Sequence, residues 1–377
     1  MDQFFNLFNN DGHAPQEVTK SAFFQARTQL SYTAFIELNH VATQEFYDRW
    51  TGYQRWHGLR LCAIDGSQIR LPNAPDIEKE FGVLRGKENQ TDCPMALVSI
   101  YFDVLNQVAI DASINPTAAS ERACAARHLE HANPDDLVLY DRGYNAFWLY
   151  AHHRAHHLSF CMRAKINRGL PFKRFVESNK QQAVVTLHPN KRSIEQCAER
   201  GLPITPIRLR LIRVDLPGEV EVLITDLMDE AAYDVGQFKR LYHLRWGLEE
   251  HYKRLKQWVE IENFSGKSAL SVKQDFHAKI LSTNLTAFMV LAAQKNVDSK
   301  TQTHRHRYKV NFAQALSKMK HTVVKLIYRL TPDVSNLLKQ IIDYVALTIE
   351  PIRSERSFKR KHSKHKKLHH PCYKRAL

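Results

Sequence analysis

The densest run of chemistry-bearing side chains lies between Leu241 and Lys256, where Tyr242, Arg245, Glu249 and Lys256 fall at offsets of three, seven and fourteen. On a helix those offsets keep all four on one face, so a single carboxylate stands among donors suited to phosphate oxygens. Glu249 can complete a metal site, Arg245 and Lys256 can clamp phosphates, and Tyr242 can donate a hydrogen bond to one. An ordinary solvated face, with Glu249 and Lys253 as an i,i+4 pair contributing roughly a few tenths of a kcal/mol, explains the same residues. Taken alone, the helix favours that plainer account. Two aspartates in a different setting add to it: Asp65 follows the apolar run Leu59–Ile64, and Asp141 follows Leu137–Tyr140. A lone Asp after a strand is commonly a turn former, so the pair matters only if the two strands are neighbours. If they are, phosphodiester chemistry becomes accessible, because a pair of metal ions roughly 3.5 to 4 Å apart can activate a nucleophile and relieve a leaving oxygen. Hard ions such as Mg²⁺ take oxygen ligands, which carboxylates on rigid elements supply.

The elements that must position these residues follow from the local patterning. Thr19 to about Trp50 is helical, with Phe23, Phe24, Leu30, Phe35, Ile36, Leu38 and Val41 spaced for a buried stripe and Ser31 available to cap a second helix. Extended segments flank Asp65-Gly66-Ser67, and further strands run over Met95–Leu105 and Gln107–Ile114, with Asn106 near a reversal. A helix over Ala118–Ala132, the short strand ending at Tyr140, a helix over Asn145–His157 and a strand over Ser159–Ile166 complete the first part. This order predicts an α/β fold with a mixed sheet whose first and fourth strands are parallel neighbours, the ribonuclease H-like arrangement. Asp65 and Asp141 then share the carboxyl edge of the sheet, where open α/β sheets place their ligands.

The predicted organisation is an N-terminal helical module over 1–57 suited to DNA binding or to simple packing, and a first part of the catalytic core over 58–166. A β-rich insertion occupies 167–226, the core is completed with the signature helix over 227–295, a helical C-terminal region covers 296–352, and a flexible basic tail covers 353–377. Within the insertion the β-leaning segments are Ala183–Leu187, Ile207–Val214 and Val220–Thr225. Helices are predicted over Gln237–Val259, Val272–Lys295, Phe312–Leu330 and Val334–Leu347. The tail carries ten Lys and Arg against the single acid Glu355.

With 44% hydrophobic residues over 377 positions, the chain can bury a large core. Its 54 Lys and Arg against 39 Asp and Glu give a net charge of +15, which favours a polyanionic partner, nucleic acid before membrane. No uncharged apolar run reaches the ~18 residues of a membrane span, and the N-terminus lacks a signal core, so a cytoplasmic protein is expected. The six cysteines (Cys62, Cys93, Cys124, Cys161, Cys197, Cys372) form no C-x-x-C pair and read as buried reduced thiols rather than zinc ligands. His152, His153, His156 and His157 form two i,i+4 pairs, a spacing that can bind zinc; with no carboxylate or cysteine converging on them, an exposed, partly basic helix face is the expectation.

The ungapped stretch Tyr242-x-x-Arg245-x-x-x-Glu249-x-x-x-x-x-x-Lys256 resembles the Tyr-Arg-Glu-Lys signature of bacterial insertion-sequence transposases of family four, the cut-and-paste group with an Asp-Asp-Glu triad. Ile64-Asp65-Gly66-Ser67 looks like that family's first catalytic block and Tyr140-Asp141-Arg142-Gly143-Tyr144 like its second. The resemblance spans about Thr19 to Leu347. It implies a metal-dependent DNA endonuclease and strand transferase with Asp65, Asp141 and Glu249 as ligands of two Mg²⁺ ions, Mn²⁺ being the substitute. Its implied partners are double-stranded DNA, as terminal inverted repeats and as target, and a second copy of the chain on paired ends, with no membrane and with a nucleoid location. Tyr242, Arg245 and Lys256 would hold phosphates near the cut, and Trp246 would stack on a flipped base where ends close as hairpins.

Two departures stand out. No tryptophan occurs between Trp148 and Trp246, so the stacking residue that relatives offer from the insertion is missing or replaced. The segment before Asp65 is short for a full end-recognition domain, and a chain that starts late would have its specific end binding impaired. The competing expectations are a ribonuclease H-like nuclease without strand transfer, and a non-catalytic derivative that occupies the ends as a repressor.

Overall fold

The computed structural model describes residues 19–85, 92–166, 170–216, 218–327 and 333–353. The predicted basic tail lies, apart from Arg353, outside the described residues, as do residues 328–330 of the predicted helix over Phe312–Leu330. In chain order the first half contains α1 (Lys20–Thr28), α2 (Thr33–Arg49), β1 (Arg60–Arg70), α3 (Pro75–Phe81), β2 (Val83–Leu84), β3 (Cys93–Asp103), β4 (Val108–Pro116), α4 (Glu121–His128), β5 (Asp136–Tyr140), α5 (Phe147–Ala155) and β6 (Ser159–Arg163). The second half contains α6 (Leu170–Glu177), β7 (Gln182–Leu187), α7 (Lys191–Ala198), β8 (Ile207–Leu216), β9 (Glu219–Thr225), α8 (Val235–Leu244), α9 (Trp246–Gln257), α10 (Ala269–Lys300), β10 (Tyr308–Val310), α11 (Phe312–Ile327), α12 (Val334–Ala346) and β11 (Ile349–Pro351). Two compact units result, one of Tyr47–Gln257 and one of Met1–Phe46 with Trp258–Leu377.

The unit Tyr47–Gln257 is built on a nine-stranded sheet in the order β2-β3-β1-β5-β6-β9-β8-β7, with β4 paired to β3. β1 runs antiparallel to β3 and parallel to β5, and β5 runs parallel to β6, so the first and fourth strands of the ribonuclease H-like arrangement are neighbours as expected. The insertion strands do not form a sheet of their own, because β9 pairs with β6 and carries the same sheet outward through β8 and β7. The insertion also holds α6 and α7, which a β-rich expectation passed over. Phe172 and Phe175 of α6 and Cys197 of α7 belong to the core that covers this end of the sheet, so their helices are fixed by what they bury.

The central strands are buried on both faces, since Leu61 to Ile64 and Leu137 to Tyr140 are wholly inaccessible. Such runs carry no inside–outside alternation and do not by themselves select a register. A polar pair supplies one. Arg60 faces Asp136 across the first rung of the parallel ladder, and its Nε and Nη2 donate to the two carboxylate oxygens at 2.6 and 2.7 Å. The Tyr101 hydroxyl and the Asn133 amide also donate to Asp136, and the Arg60 guanidinium lies 4.5 Å from the Tyr47 ring centroid. Both charges are buried, so only a register that joins them avoids a large desolvation cost.

The other unit gathers helices around α10. Arg27 of α1 donates to Gln274 Oε1 and pairs with Asp275 at 2.6 Å, Asn284 bonds Asn39 of α2, and Phe46 stacks on Phe288. Ala293 and Val297 of α10 join Ala315, Met319, Ile341 and Val345 in a second core. By length and composition α10 also qualifies to cross a bilayer, yet its buried Gln274 and Asn284 are hydrogen-bonded to α1 and α2, as in a core helix. The stripe predicted for the N-terminal helices is corrected here, because Phe23, Phe24, Leu30, Leu38 and Val41 are exposed. α2 buries Asn39, Thr43 and Phe46 instead, a face whose polar members apolar periodicity cannot reveal.

Replacing Arg60 with Ala leaves Asp136 buried without its cation, and denaturant unfolding should show a loss of about 3–5 kcal/mol. A loss under about 1 kcal/mol would show that the pair does not set the register.

Candidate active site

β1 continues unbroken through Asp65-Gly66-Ser67 to Arg70, so Asp65 sits inside the strand rather than between two extended segments. The parallel ladder pairs Arg60 with Asp136 and Ala63 with Leu139, and the same offset carried two residues further sets Asp65 opposite Asp141. Asp141 has left the strand and leads into a single 3-10 turn, Arg142–Tyr144. Arg122 of α4 holds that turn by donating from Nε and Nη2 to the Gly143 carbonyl at 2.9 and 2.7 Å.

The signature segment is not one helix. The chain breaks between α8 and α9 at Arg245, where the amides of Arg245 and Leu248 bond three residues back, to Tyr242 and Arg245 carbonyls. Leu248, His251, Tyr252 and Leu255 form the buried stripe of α9. The Tyr252 hydroxyl donates to the Asp65 carbonyl at 2.7 Å, which fastens α9 to β1 beside the first aspartate. Arg245, at this junction, is buried to 7% exposure. Its Nη2 donates to Glu249 Oε1 at 2.8 Å and its Nη1 lies 3.5 Å from Asp65 Oδ2, while its buried Nε has no hydrogen-bond partner. One guanidinium therefore links a carboxylate of the sheet to that of the helix.

The other signature residues are also engaged. The Tyr242 hydroxyl is buried and donates to the Tyr140 carbonyl at 3.2 Å, next to Asp141. Lys256 Nζ donates to Ser67 Oγ at 2.9 Å and the Gln68 carbonyl at 3.0 Å. Trp246 is 45% exposed and stacks against His243 with ring centroids 6.0 Å apart.

Asp65 is pushed up to about 6, chiefly by burial. The Gly66 amide, bonded to Oδ1 at 2.9 Å, and the Arg245 charge work against that rise, while Glu121 and Asp141 add to it by like-charge repulsion. Among the described residues, Asp65, Asp141 and Glu249 do not bring three ligand atoms within 4.8 Å of one another. A pair of ions roughly 3.5–4 Å apart would be held by acids spread more widely than the ligands of one ion. The donor set is all hard oxygen, which suits Mg²⁺ or Mn²⁺ over softer ions.

Sequence reasoning missed Tyr252, Arg122 and Glu121. No local pattern marks them, since each is brought to the site by a contact distant in sequence. The histidine helix is corrected as well. His153 is fully buried between the Tyr140 hydroxyl and the Leu158 carbonyl and is lowered to about 3, and His152 is lowered to about 4, both mainly by burial. Only His156 and His157 are exposed, so the face is not the exposed basic one expected.

With this geometry in view, residues 56–285 match the family model described as the transposase DDE domain, and the chain belongs to that family of DDE transposases. The similarity extends to the insertion-sequence group anticipated from the signature. Over 354 residues the chain is 23% identical to the transposase InsG for insertion sequence element IS4 of Escherichia coli K12, covering 91% of this chain and 76% of that protein. A putative transposase InsZ of the same strain is 27% identical over 134 residues, 35% of this chain and 45% of that one. Among solved structures, the cryo-EM structure of piggyBac transposase synaptic complex with hairpin DNA aligns with a TM-score of 0.44 and 11% identity, over 76% of this chain and 57% of that one.

A carboxyl held near 6 must lose its proton before a cation can bind it, so a metal site that uses Asp65 should lose Mn²⁺ affinity roughly tenfold per pH unit below about 6. The stability contribution runs the other way. The folded state binds this proton at a pH where the unfolded chain, at the ordinary value of 3.8, does not, so Asp65 favours folding progressively as pH drops from about 6 towards 4. Calorimetric Mn²⁺ titrations at pH 7, 6 and 5 check the first sign; an unchanged affinity would remove Asp65 from the metal site.

Proposed function

We propose that this DDE transposase binds the ends of an insertion sequence and catalyses metal-dependent strand cleavage followed by strand transfer, by cut and paste. In this reading Asp65, Asp141 and Glu249 hold two divalent ions, Mg²⁺ with Mn²⁺ as substitute. The observation that carries it is the parallel β1–β5 ladder, which ends at Ala63 and Leu139, two residues before Asp65 and Asp141, together with the Arg245 link from Asp65 to Glu249. When bound, the ions supply a nucleophile at neutral pH and charge relief at the leaving oxygen.

The chain's own residues do the positioning. Tyr252 and Lys256 tie α9 to β1, Tyr242 ties α8 to the carbonyl before Asp141, and Arg122 braces the turn after it. These ties keep the acids on rigid elements, where a small displacement would cost rate. Arg245 and Lys256 would donate to DNA phosphates on exchanging their present partners, Asp65 and Glu249 for Arg245 and Ser67 and Gln68 for Lys256, and the exposed ring of Trp246 offers a stacking surface for a base turned out during hairpin closure. The net charge of +15 supports a double-stranded DNA partner, as terminal inverted repeat and as target. One chain carries one triad while two ends must be processed, which supports a homodimer on paired ends. A cytoplasmic, nucleoid-associated location follows from that substrate.

The test is a cleavage and strand-transfer assay on DNA carrying the element's own ends, with Mg²⁺ or EDTA, beside Glu249→Gln. Wild type should cut and join only with the metal, and the variant should lose more than the roughly 10–100-fold typical of outer-shell changes at metal sites. Cutting without joining would mark a nuclease, and end binding without cutting in Mg²⁺ or Mn²⁺ would mark a repressor-like derivative; either defeats the proposal.

A further inference from the structure

We infer that Glu121, the first residue of α4, is a fourth carboxylate of the metal site. The inference rests on the reading that Asp65, Asp141 and Glu249 hold the ions.

Glu121 is 56 residues from Asp65 and 20 from Asp141, yet its side chain lies against the backbone beside both. A β-carbon built on Gly66, the residue after Asp65, would stand 3.1 Å from Glu121 Cγ and 3.1 Å from its Oε1. One built on Gly143, two residues after Asp141, would stand 4.0 Å from Oε2. The two carboxylate oxygens thus approach the two segments that carry the aspartates. Glycine at position 66 leaves the room for this approach, which any larger residue would have to share with the Glu121 side chain. α4 is also held there independently, because the next residue, Arg122, grips the Gly143 carbonyl through two donors.

The carboxylate itself has no hydrogen bond or ion pair among the described residues. The neighbouring cations are occupied elsewhere, Arg122 by Gly143 and Arg127 by Asn115. Glu121 is exposed and lines an open cavity of about 360 Å³ with Gln68, Ser120, Arg122 and Gly143, so an ion and its waters can reach it. Charge balance points the same way. Two divalent ions bring four positive charges, three acids supply three negative ones, and Arg245 is already paired with two of those acids. A fourth carboxylate would lower the positive charge that remains and would supply further oxygen ligands of the kind hard divalent ions take.

The plainer role for an acid at a helix N-terminus is to complement the helix dipole. Two substitutions separate the roles. Glu121→Gln removes the charge, whereas Glu121→Asp keeps the helix-end charge and shortens the reach. Mn²⁺ binding to the full chain, followed by electron paramagnetic resonance, should show about 10–100-fold weaker affinity for at least one ion in both variants. Melting temperature should stay at the wild-type value in Glu121→Asp, and Glu130→Gln, on the exposed turn after α4, should bind Mn²⁺ as wild type does. If wild type binds Mn²⁺ and Glu249→Gln does not, while both Glu121 variants bind normally, the inference is wrong and the three-acid reading stands. A change confined to melting temperature would likewise assign Glu121 to the helix end. No Mn²⁺ binding by wild type would overturn the three-acid reading and this inference together.

Discussion

The buried ion pair between Arg60 and Asp136 is the constraint on which the site depends. β1 and β5 are parallel and distant in sequence, and the runs that pair them are apolar on both faces. Hydrophobic burial holds such strands together while remaining indifferent to a slip along the ladder. A buried charge pair is not indifferent, because a shift by one residue strands two charges in a dry interior. Asp136 is further committed by donors from Tyr101 and Asn133, so its geometry is over-determined. The register fixed at this end of the ladder brings β1 and β5 towards Asp65 and Asp141 in step, the last pair being Ala63 with Leu139.

At the opposite end of the same strands, the fold gathers acids instead of pairing them. Burial chiefly, with like-charge repulsion from Glu121 and Asp141 added, raises the proton affinity of Asp65, a cost that a neighbouring cation offsets. Arg245 does so within the chain, from the junction between α8 and α9. An uninterrupted helix would keep Arg245 in line with Tyr242, Glu249 and Lys256 on one face. The break gives α8 and α9 separate attachments instead, α8 to the end of β5 through Tyr242, and α9 to β1 through Tyr252 and Lys256. Glu249 is thereby carried by an element fastened to the strand that bears Asp65.

The extended sheet has a related consequence. Because β9 pairs with β6, the insertion is continuous with the catalytic sheet, and Glu221 of β9 pairs with Arg163 of β6 at 2.9 Å. Glu221 is raised mainly by burial, and Asp141 and Arg245 are among the charges it feels. The electrostatics of the candidate site therefore extend into the insertion.

Much of this was legible in the linear chain. The alternation of extended and helical texture, the apolar runs before Asp65 and Asp141, and the spacing of Tyr242, Arg245, Glu249 and Lys256 are local properties, set by backbone periodicity and turn chemistry within a few residues. They sufficed to foresee a ribonuclease H-like sheet with its first and fourth strands adjacent, and the family signature identified the acids to examine. What they did not disclose is decided by contacts between distant segments. The exposure of Phe23 and Leu38, the burial of Asn39 and His153, the inward turn of Arg245, and the arrival of Tyr252 and Glu121 beside Asp65 each depend on which surface packs on which. Periodicity tells a helix which residues share a face; only the surrounding tertiary structure determines whether that face meets water, an apolar core or another charge.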